Sequence, residues 1–413
     1  MANDVNEMSA LLHEQLRGKI SIQSKVPIKT KEDLSLAYTP GVAEPCRRIA
    51  ANPGDAYKYT SKGNMVAVVT DGSAVLGLGD IGSLAGLPVM EGKAILFKEF
   101  GGVDAFPICI DTSGITDEAQ IIDTIVETVK RIAPAFGAIN LEDIKAPRCF
   151  EVEKRLKNEL NIPVLHDDQH GTAIVVAAGL INASKVVGKK LEDLTVTING
   201  VGAAGSAIAR MLLKLGVKDI RLVDMKGIIN KNNPDTMLNA NHAELAQITN
   251  LKNQSGGLAE AAIGADVLIG VSKANLFTQD MIRTMTKDPI VFALANPNPE
   301  ILPDEAKSAG VAVIATGRSD FPNQVNNVLA FPGIFKGILS AMANSFSDGI
   351  MMTAVKSLAG YIPEGQLNAN NILPSPLDKN VAQVIANAVI KYEREQKLNL
   401  SKSTMNTNNK FEK

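Results

Sequence analysis

The stretch Thr195–Gly205, TVTINGVGAAG, decides the fold of this chain. Its first five residues read as a buried strand, and Gly200, Gly202 and Gly205 then follow the spacing G-x-G-x-x-G. Downstream, AAGSAIARMLLKLG reads as a helix closed by Gly216, and IRLVD as a second strand ending in Asp224. Each part suits a dinucleotide. The glycines let the backbone approach a pyrophosphate, the helix N-terminus faces its charge, and the acid is placed to bond the ribose hydroxyls. The expected cofactor set is therefore Gly200, Gly202, Ala203, Ala204, Gly205 and Asp224. Asp224 favours NAD, because a 2′-phosphate would meet its negative charge.

Working outward, ADVLIGVS, IVFALAN and VAVIATG are further strand candidates separated by helical stretches, the pattern of a parallel sheet with crossover helices. Upstream, IIDTIVETVKRIA carries apolar residues at helix spacing. GAINLED and IPVLHDD read as short strands about a charged helix, CFEVEKRLKNEL, and TAIVVAAGLINASKVVG as a buried helix ended by Gly188. A chain of 413 residues is too long for one ordinary core. The fold expected is α/β, with a mixed α/β substrate domain over residues 1–164 and a Rossmann domain, a doubly wound parallel sheet, over 165–400. Residues 401–413 read as a flexible polar tail, and NVAQVIANAVIKYEREQ as a helix packing back on the first domain.

Composition narrows the function. With 45% hydrophobic and 21% charged residues, the chain holds no apolar run of the length and uniformity of a membrane span. Its N-terminus lacks the basic start and apolar core of a signal peptide. Cys46, Cys109 and Cys149 are scattered and odd in number, which suits reduced thiols in a cytoplasm and argues against a thiolate metal site. A net charge of -2 without Lys/Arg clusters leaves no footprint for nucleic acid. A cytoplasmic protein with a small-molecule partner is expected.

A second glycine run, VLGLGDIG at residues 75–82, imitates the first. Asp80 in its loop would set a negative charge where a pyrophosphate should sit. The following SLAGLPVMEGK, with Gly86, Pro88 and Gly92, makes a poor crossover helix. Its glycines are expected to allow tight turns that carry Asp71 and Lys93 towards a cleft.

Glu142 and Asp143 close GAINLED, and Asp167 and Asp168 close IPVLHDD. The helix between is a crossover, so both strands should end on one edge of a parallel sheet, where such sheets bind ligands. Four acids converging there repel unless a cation or a lysine stands among them. Carboxylate oxygen without cysteine suits a hard ion, Mg2+ or Mn2+. Adjacent acids also cap helices or face solvent, and spacing alone leaves both readings open. His166 and His170 have the i, i+4 spacing of a zinc pair, but Gly171 follows at once and the shared helix face is missing. His13 and His242 stand without companions and read as surface or structural.

Lys93 lies between Gly92 and an apolar run read as a strand. It becomes a general base if a cation and partial desolvation weaken its hold on the proton, and is otherwise a surface lysine. Tyr38, before Thr-Pro-Gly, packs in a turn or donates a proton. Asn296 ends IVFALAN at the ligand edge, and Asn326 and Asn327 sit in PNQVNNVLAFPG, where asparagines orient a carboxylate or cap a turn.

Together these segments resemble a malic enzyme of the short prokaryotic type. The carrying motifs are SLAYTPGVAEP, TDGSAVLGLGDIG, EGKA around Lys93, NLEDI, HDDQHGTAIVV, the glycine turn with Asp224, FALANPNPE and the Asn-Asn loop before FPG. They run in order over about residues 12–388. The resemblance implies a malate oxidoreductase (oxaloacetate-decarboxylating) that converts L-malate to pyruvate and CO2 with reduction of NAD, or of NADP with Lys226 as the phosphate partner. It implies Glu142, Asp143 and Asp168 as ligands of Mg2+ or Mn2+. Lys93 and Tyr38 become proton-transfer residues in contact with substrate, Asp167 the acid paired with Lys93, and Asn296, Asn326 and Asn327 substrate contacts, Asn296 also reaching the cofactor. A homodimer is implied as well. Larger members carry an arginine before the LGLGD run that holds a malate carboxylate; Ala74 and Val75 stand there in this chain. Two rivals remain: a malolactic enzyme, which keeps NAD bound and makes lactate, and a non-catalytic nicotinamide-binding homologue. The retained Tyr38, Lys93 and acids argue against the latter.

Overall fold

The computed structural model describes residues 2–75 and 77–408. Its first sheet holds β1 (Met65–Thr70), β2 (Asp104–Cys109), β3 (Ala138–Leu141) and β4 (Val164–His166) in the order β2-β1-β3-β4, all parallel. The second holds β5 (Thr195–Asn199), β6 (Asp219–Asp224), β7 (Gly227–Ile228), β8 (Val267–Gly270), β9 (Ile290–Ala293) and β10 (Val313–Thr316). Their order is β10-β9-β8-β5-β6-β7, parallel except for the short β7, which turns back antiparallel on β6. The chain moves outward from β5 in both directions, so the strand order reverses beside it. That switch point is where a doubly wound sheet opens a ligand crevice.

β3, β4, β8 and β9 are buried throughout, as expected of parallel strands covered on both faces. The Asp167–Val186 helix joins the sheets, and its Ala173–Ala178 run shares one apolar cluster with Val66 and Val68 of β1 and Val196 and Ile198 of β5. The later helices Phe331–Ala341, Asp348–Ala359 and Asn380–Asn408 enter the same cluster. Phe331 and Phe335 set their rings 4.6 and 5.0 Å from that of Phe97, beside the first sheet. Lys379, just before the last helix, pairs with Glu99 at 2.8 Å. This helix runs to Asn408, into the stretch expected as a tail; residues 409–413 lie outside the described residues.

Two local expectations fail. SLAGLPVMEGK is not a poor helix, and Lys93 does not precede a strand: Ser83–Leu96 is one helix with Pro88 inside it. Burial of Met90 and Ala94, with Gly86 3.7 Å from the Gly72 backbone, outweighs weak local propensity. Nor do Asp167 and Asp168 close the strand, which stops at His166. The helix begins at Asp167, so Asp167 and Asp168 form its first turn, where acids complement the helix dipole.

Residues 2–60 form an arm of short helices. Lys31–Ala37 and Ala43–Ala51 bury no residue, and Leu12, Leu16, Ile22, Ile28, Leu34 and Leu36 are exposed. The arm enters the first sheet at the N-terminal end of β1, opposite the edge that carries the acids.

Candidate active site

Lys93 is the centre of the site. Its helix carries it under the C-terminal edge of the first sheet, where Nζ donates to Asp167 Oδ2 at 2.7 Å and lies 2.8 Å from Glu142 Oε1. The ammonium also stands 4.4 Å from the centre of the Phe331 ring. Glu142 follows β3 directly, and Asn140 Nδ2 donates to its other oxygen at 2.8 Å. Asp167 is fully buried, and Asn327 Nδ2 donates to the same Oδ2 that Lys93 uses. Gly171, one turn on, makes room: a Cβ there would lie 2.0 Å from Asp167 Oδ1.

Asp143 takes a left-handed backbone (φ 53°), and its N–H donates to Asp168 Oδ2 at 2.9 Å. Carboxylate oxygens of Glu142, Asp143 and Asp168 lie within 4.8 Å of one another. Three converging anionic oxygens fit a hard divalent cation and no soft metal. Burial pushes Glu142 up to about 7 and Asp167 up to about 6, each against the pull of Lys93, and it raises Asp168 too. For Lys93, burial lowers proton affinity, but Asp167 and Glu142 outweigh it and the net shift is upward. The weakened hold expected from desolvation is therefore not what this set of acids produces.

The remaining candidates divide. Asn326 accepts from Val328 N–H at 3.0 Å and caps the turn that presents Asn327. Asn296 is exposed on the other sheet, beyond the end of β9. Tyr38 is 66% exposed on the arm, and its side chain makes no hydrogen bond among the described residues. Asp71 does not face a cleft: it is buried in an ion pair with Arg148 and accepts from Ser73 Oγ at 2.6 Å. His170 does lie on a helix, contrary to expectation, but still pairs with no metal set. Its Nε2 is 3.0 Å from Glu153, while His166 is fully buried, where the lost hydration lowers it to about 4.

In the second sheet, Gly200 adopts φ 101° after β5, and Gly202 caps the Ala203–Lys214 helix. A Cβ on Gly205 would meet Gly200 O at 1.8 Å, so only glycine lets the helix start this close to the strand. Asp224 ends β6 with Oδ1 accepting from Met225 N–H at 2.8 Å.

Two residues escaped the sequence. Glu153, buried, accepts from His166 N–H at 3.0 Å and pairs with His170 and Lys157, fastening the turn that carries Asp167 and Asp168. The only local signal is its i, i+4 relation to Lys157. His242 is buried beside the glycine turn, and nothing adjacent to it in sequence says so.

Fold and site together define a nicotinamide-dinucleotide enzyme with a lysine–carboxylate centre. Residues 17–157 match the family description "Malic enzyme, N-terminal domain", and residues 169–394 match "Malic enzyme, NAD binding domain". The chain is 53% identical over 387 residues to the bifunctional malic/malolactic enzyme of Bacillus subtilis, covering 94% of this chain and 92% of the relative. It is also 53% identical to the NAD-dependent malic enzyme of Geobacillus stearothermophilus, covering 94% and 78%. The crystal structure of an NAD-dependent malic enzyme from Thermotoga maritima superposes with a TM-score of 0.87 at 49% identity, covering 92% of this chain and 98% of that one. The chain belongs to the malic enzyme family and is a nicotinamide-dependent, decarboxylating oxidoreductase. No described helix is long and apolar enough to cross a membrane.

Proposed function

We propose that the protein converts L-malate to pyruvate and CO2 with NAD as oxidant, with Mg2+ or Mn2+ at Glu142, Asp143 and Asp168. The observation that carries this is Lys93, buried between Asp167 and Glu142 beside three converging carboxylates. When bound, the ion supplies polarisation of the C2 hydroxyl and charge stabilisation for the enolate, and the nicotinamide supplies the oxidant. With a divalent cation among the acids, the pull by which they hold the Lys93 proton would be offset, and Lys93 would then take the proton of the C2 hydroxyl, with Asp167 at 2.7 Å holding the resulting ammonium. Asn327 fixes Asp167 by donating to the oxygen that Lys93 uses, and Phe331 covers the ammonium and excludes water. Gly200, Gly202, Ala203, Ala204 and Gly205 take the pyrophosphate at the helix N-terminus, and Asp224 the ribose. Asn296 and Asn326 complete the cofactor and substrate contacts.

Tyr38 returns a proton to the enolate carbon, and it does so in a second copy of the chain. The exposed apolar arm and its entry at the far end of β1 support a homodimer in which each arm reaches the partner's site. Mixing Tyr38→Phe and Lys93→Ala chains tests both assignments. Crossed arms predict about a quarter of the wild-type sites restored in the refolded mixture. No recovery above the separate variants would sink the crossed arrangement.

A steady-state assay with L-malate and Mn2+, run with NAD and NADP and with the organic product identified, tests the reaction. Pyruvate matched by NADH supports it; lactate without NADH moves the protein to the malolactic reaction, which the name of the Bacillus subtilis relative keeps in view.

A further inference from the structure

We propose that His242 is a positioning residue for the adenosine half of the cofactor and contributes to its choice of an unphosphorylated ribose. The inference rests on the cofactor reading above. His242 is 2% exposed, and one ring nitrogen reaches both parts of the dinucleotide site. Nε2 lies 3.1 Å from Val201 O, inside the glycine turn, and 3.4 Å from Asp224 Oδ2. Nδ1 is buried with no hydrogen-bond partner among the described residues. With its proton on Nε2 the ring bonds Val201 O, and the same N–H dipole lies 3.4 Å from the Asp224 carboxylate, so the ring stands between the turn that takes the pyrophosphate and the acid that takes the ribose.

The ring is itself held from two directions. Asn239 caps the Ala240–Ile248 helix by accepting His242 N–H at 3.0 Å. Asn241, the preceding residue, donates to Ser206 Oγ at 2.7 Å and accepts from Arg210 Nη2 at 3.0 Å. Both partners lie on the Ala203–Lys214 helix, so the first turn of one helix is fastened to the dinucleotide helix around the imidazole. With Oδ1 committed to Met225 N–H and Oδ2 facing His242, the Asp224 carboxylate has one orientation. A carboxylate so fixed presents its remaining lone pairs to two ribose hydroxyls and its charge to any 2′-phosphate. Freed from the ring, it would turn aside and discriminate less.

The test uses His242→Phe, which keeps an aromatic ring but no N–H, and His242→Gln, whose amide N–H falls near the Nε2 position. NADH binding is followed by its fluorescence, alongside KM for NAD, NADP and malate. For His242→Phe the expected result is NADH binding weakened about tenfold, the scale of one lost hydrogen bond. KM for NAD should carry the change, with kcat and malate KM moving far less, and the preference for NAD over NADP should narrow. His242→Gln should recover most of the loss. Equal impairment in both variants would mean packing alone and overturn the proposal, as would NADH binding by His242→Phe within twofold of wild type. A wild type that binds no NADH would overturn the cofactor reading and the proposal together.

Discussion

Replacing Gly171 by alanine should slow catalysis about a hundredfold while leaving the protein folded. Gly171 lies four residues after Asp167 on one helix, so the two share a face. The new Cβ would stand 2.0 Å from Asp167 Oδ1 and 3.1 Å from Asn327 Cβ, where ordinary contact begins at 3.4 Å. The carboxylate must therefore retreat by about 1.4 Å. It has nowhere free to go, being fully buried with Oδ2 engaged by Lys93 and Asn327. Displacing a catalytic group by an ångström costs about a hundredfold in rate. Stability should change little: overpacking costs about 1–3 kcal/mol, and alanine in place of glycine returns about 1 kcal/mol to the helix.

Kinetics of the variant at saturating NAD and Mn2+ should show kcat down about a hundredfold. Its urea midpoint should fall by no more than about 2 kcal/mol in equivalent stability, with NADH binding unaltered because the glycine turn is in the other sheet. Gly365→Ala, where an added Cβ meets nothing within 4 Å, serves as control. A Gly171→Ala enzyme with kcat within twofold of wild type and a raised melting temperature would show that Asp167 has room, and the account of its fixed position would fail.

Asp168→Asn should abolish the stabilisation that Mn2+ gives the wild type in thermal unfolding, about 2.7 kcal/mol at a hundredfold excess over Kd; an undiminished shift would refute the three-acid site. Asp266 sets a pH dependence: burial raises its pKa, but Lys189, the Thr195 N–H and the Thr286 hydroxyl bring it below the usual value. A lowered folded pKa means stability that is present above the unfolded value and lost as pH falls through the folded one. The difference in urea midpoint between wild type and Asp266→Asn should thus hold steady from neutral pH to about pH 4 and close below it, and a gap that persists at the lowest pH would contradict the assignment.

How much of this was legible depended on whether the deciding interaction was local. Five of the six strands of the second sheet read directly, because a parallel strand covered on both faces is a mostly apolar run, whereas the two-residue β7 is too short to leave a pattern. Glu142, Asp143, Asp167 and Asp168 read as neighbours, because chain order through a crossover fixes which strand ends share an edge. The Ser83–Leu96 helix did not, since Gly86, Pro88 and Gly92 oppose it locally and what favours it, burial of Met90 and Ala94, is tertiary. His242 was read as lacking companions when its companions, Val201 and Asp224, are distant in sequence. Tyr38 shows the same limit at larger scale: its motif names a role, but no pattern within one chain says which chain's site it serves.

The two glycine runs share a spacing and differ in what the glycines do. In VLGLGDIG, Gly77, Gly79 and Gly82 all hold positive φ, and a Cβ on any of them would meet nothing within 4 Å. Glycine is needed there for backbone conformation alone, in a loop closed by the Val75–Gly79 bridge and docked on the turn that carries Glu142 and Asp143 through Ala74 N–H and Asp143 O at 3.0 Å. In GVGAAG only Gly200 is left-handed; Gly205 is a glycine because its neighbour's carbonyl occupies the space a Cβ would need, and Gly202 faces open space at the head of a helix. Open space at the head of a helix is where helix N–H groups can meet a phosphate. A motif defined by spacing cannot separate the two cases, because a turn that folds on itself and a turn that receives a ligand both need residues without side chains. What separates them is the charge set into the loop, Asp80 in one and none in the other, so the discriminating residue is the one the pattern leaves unspecified.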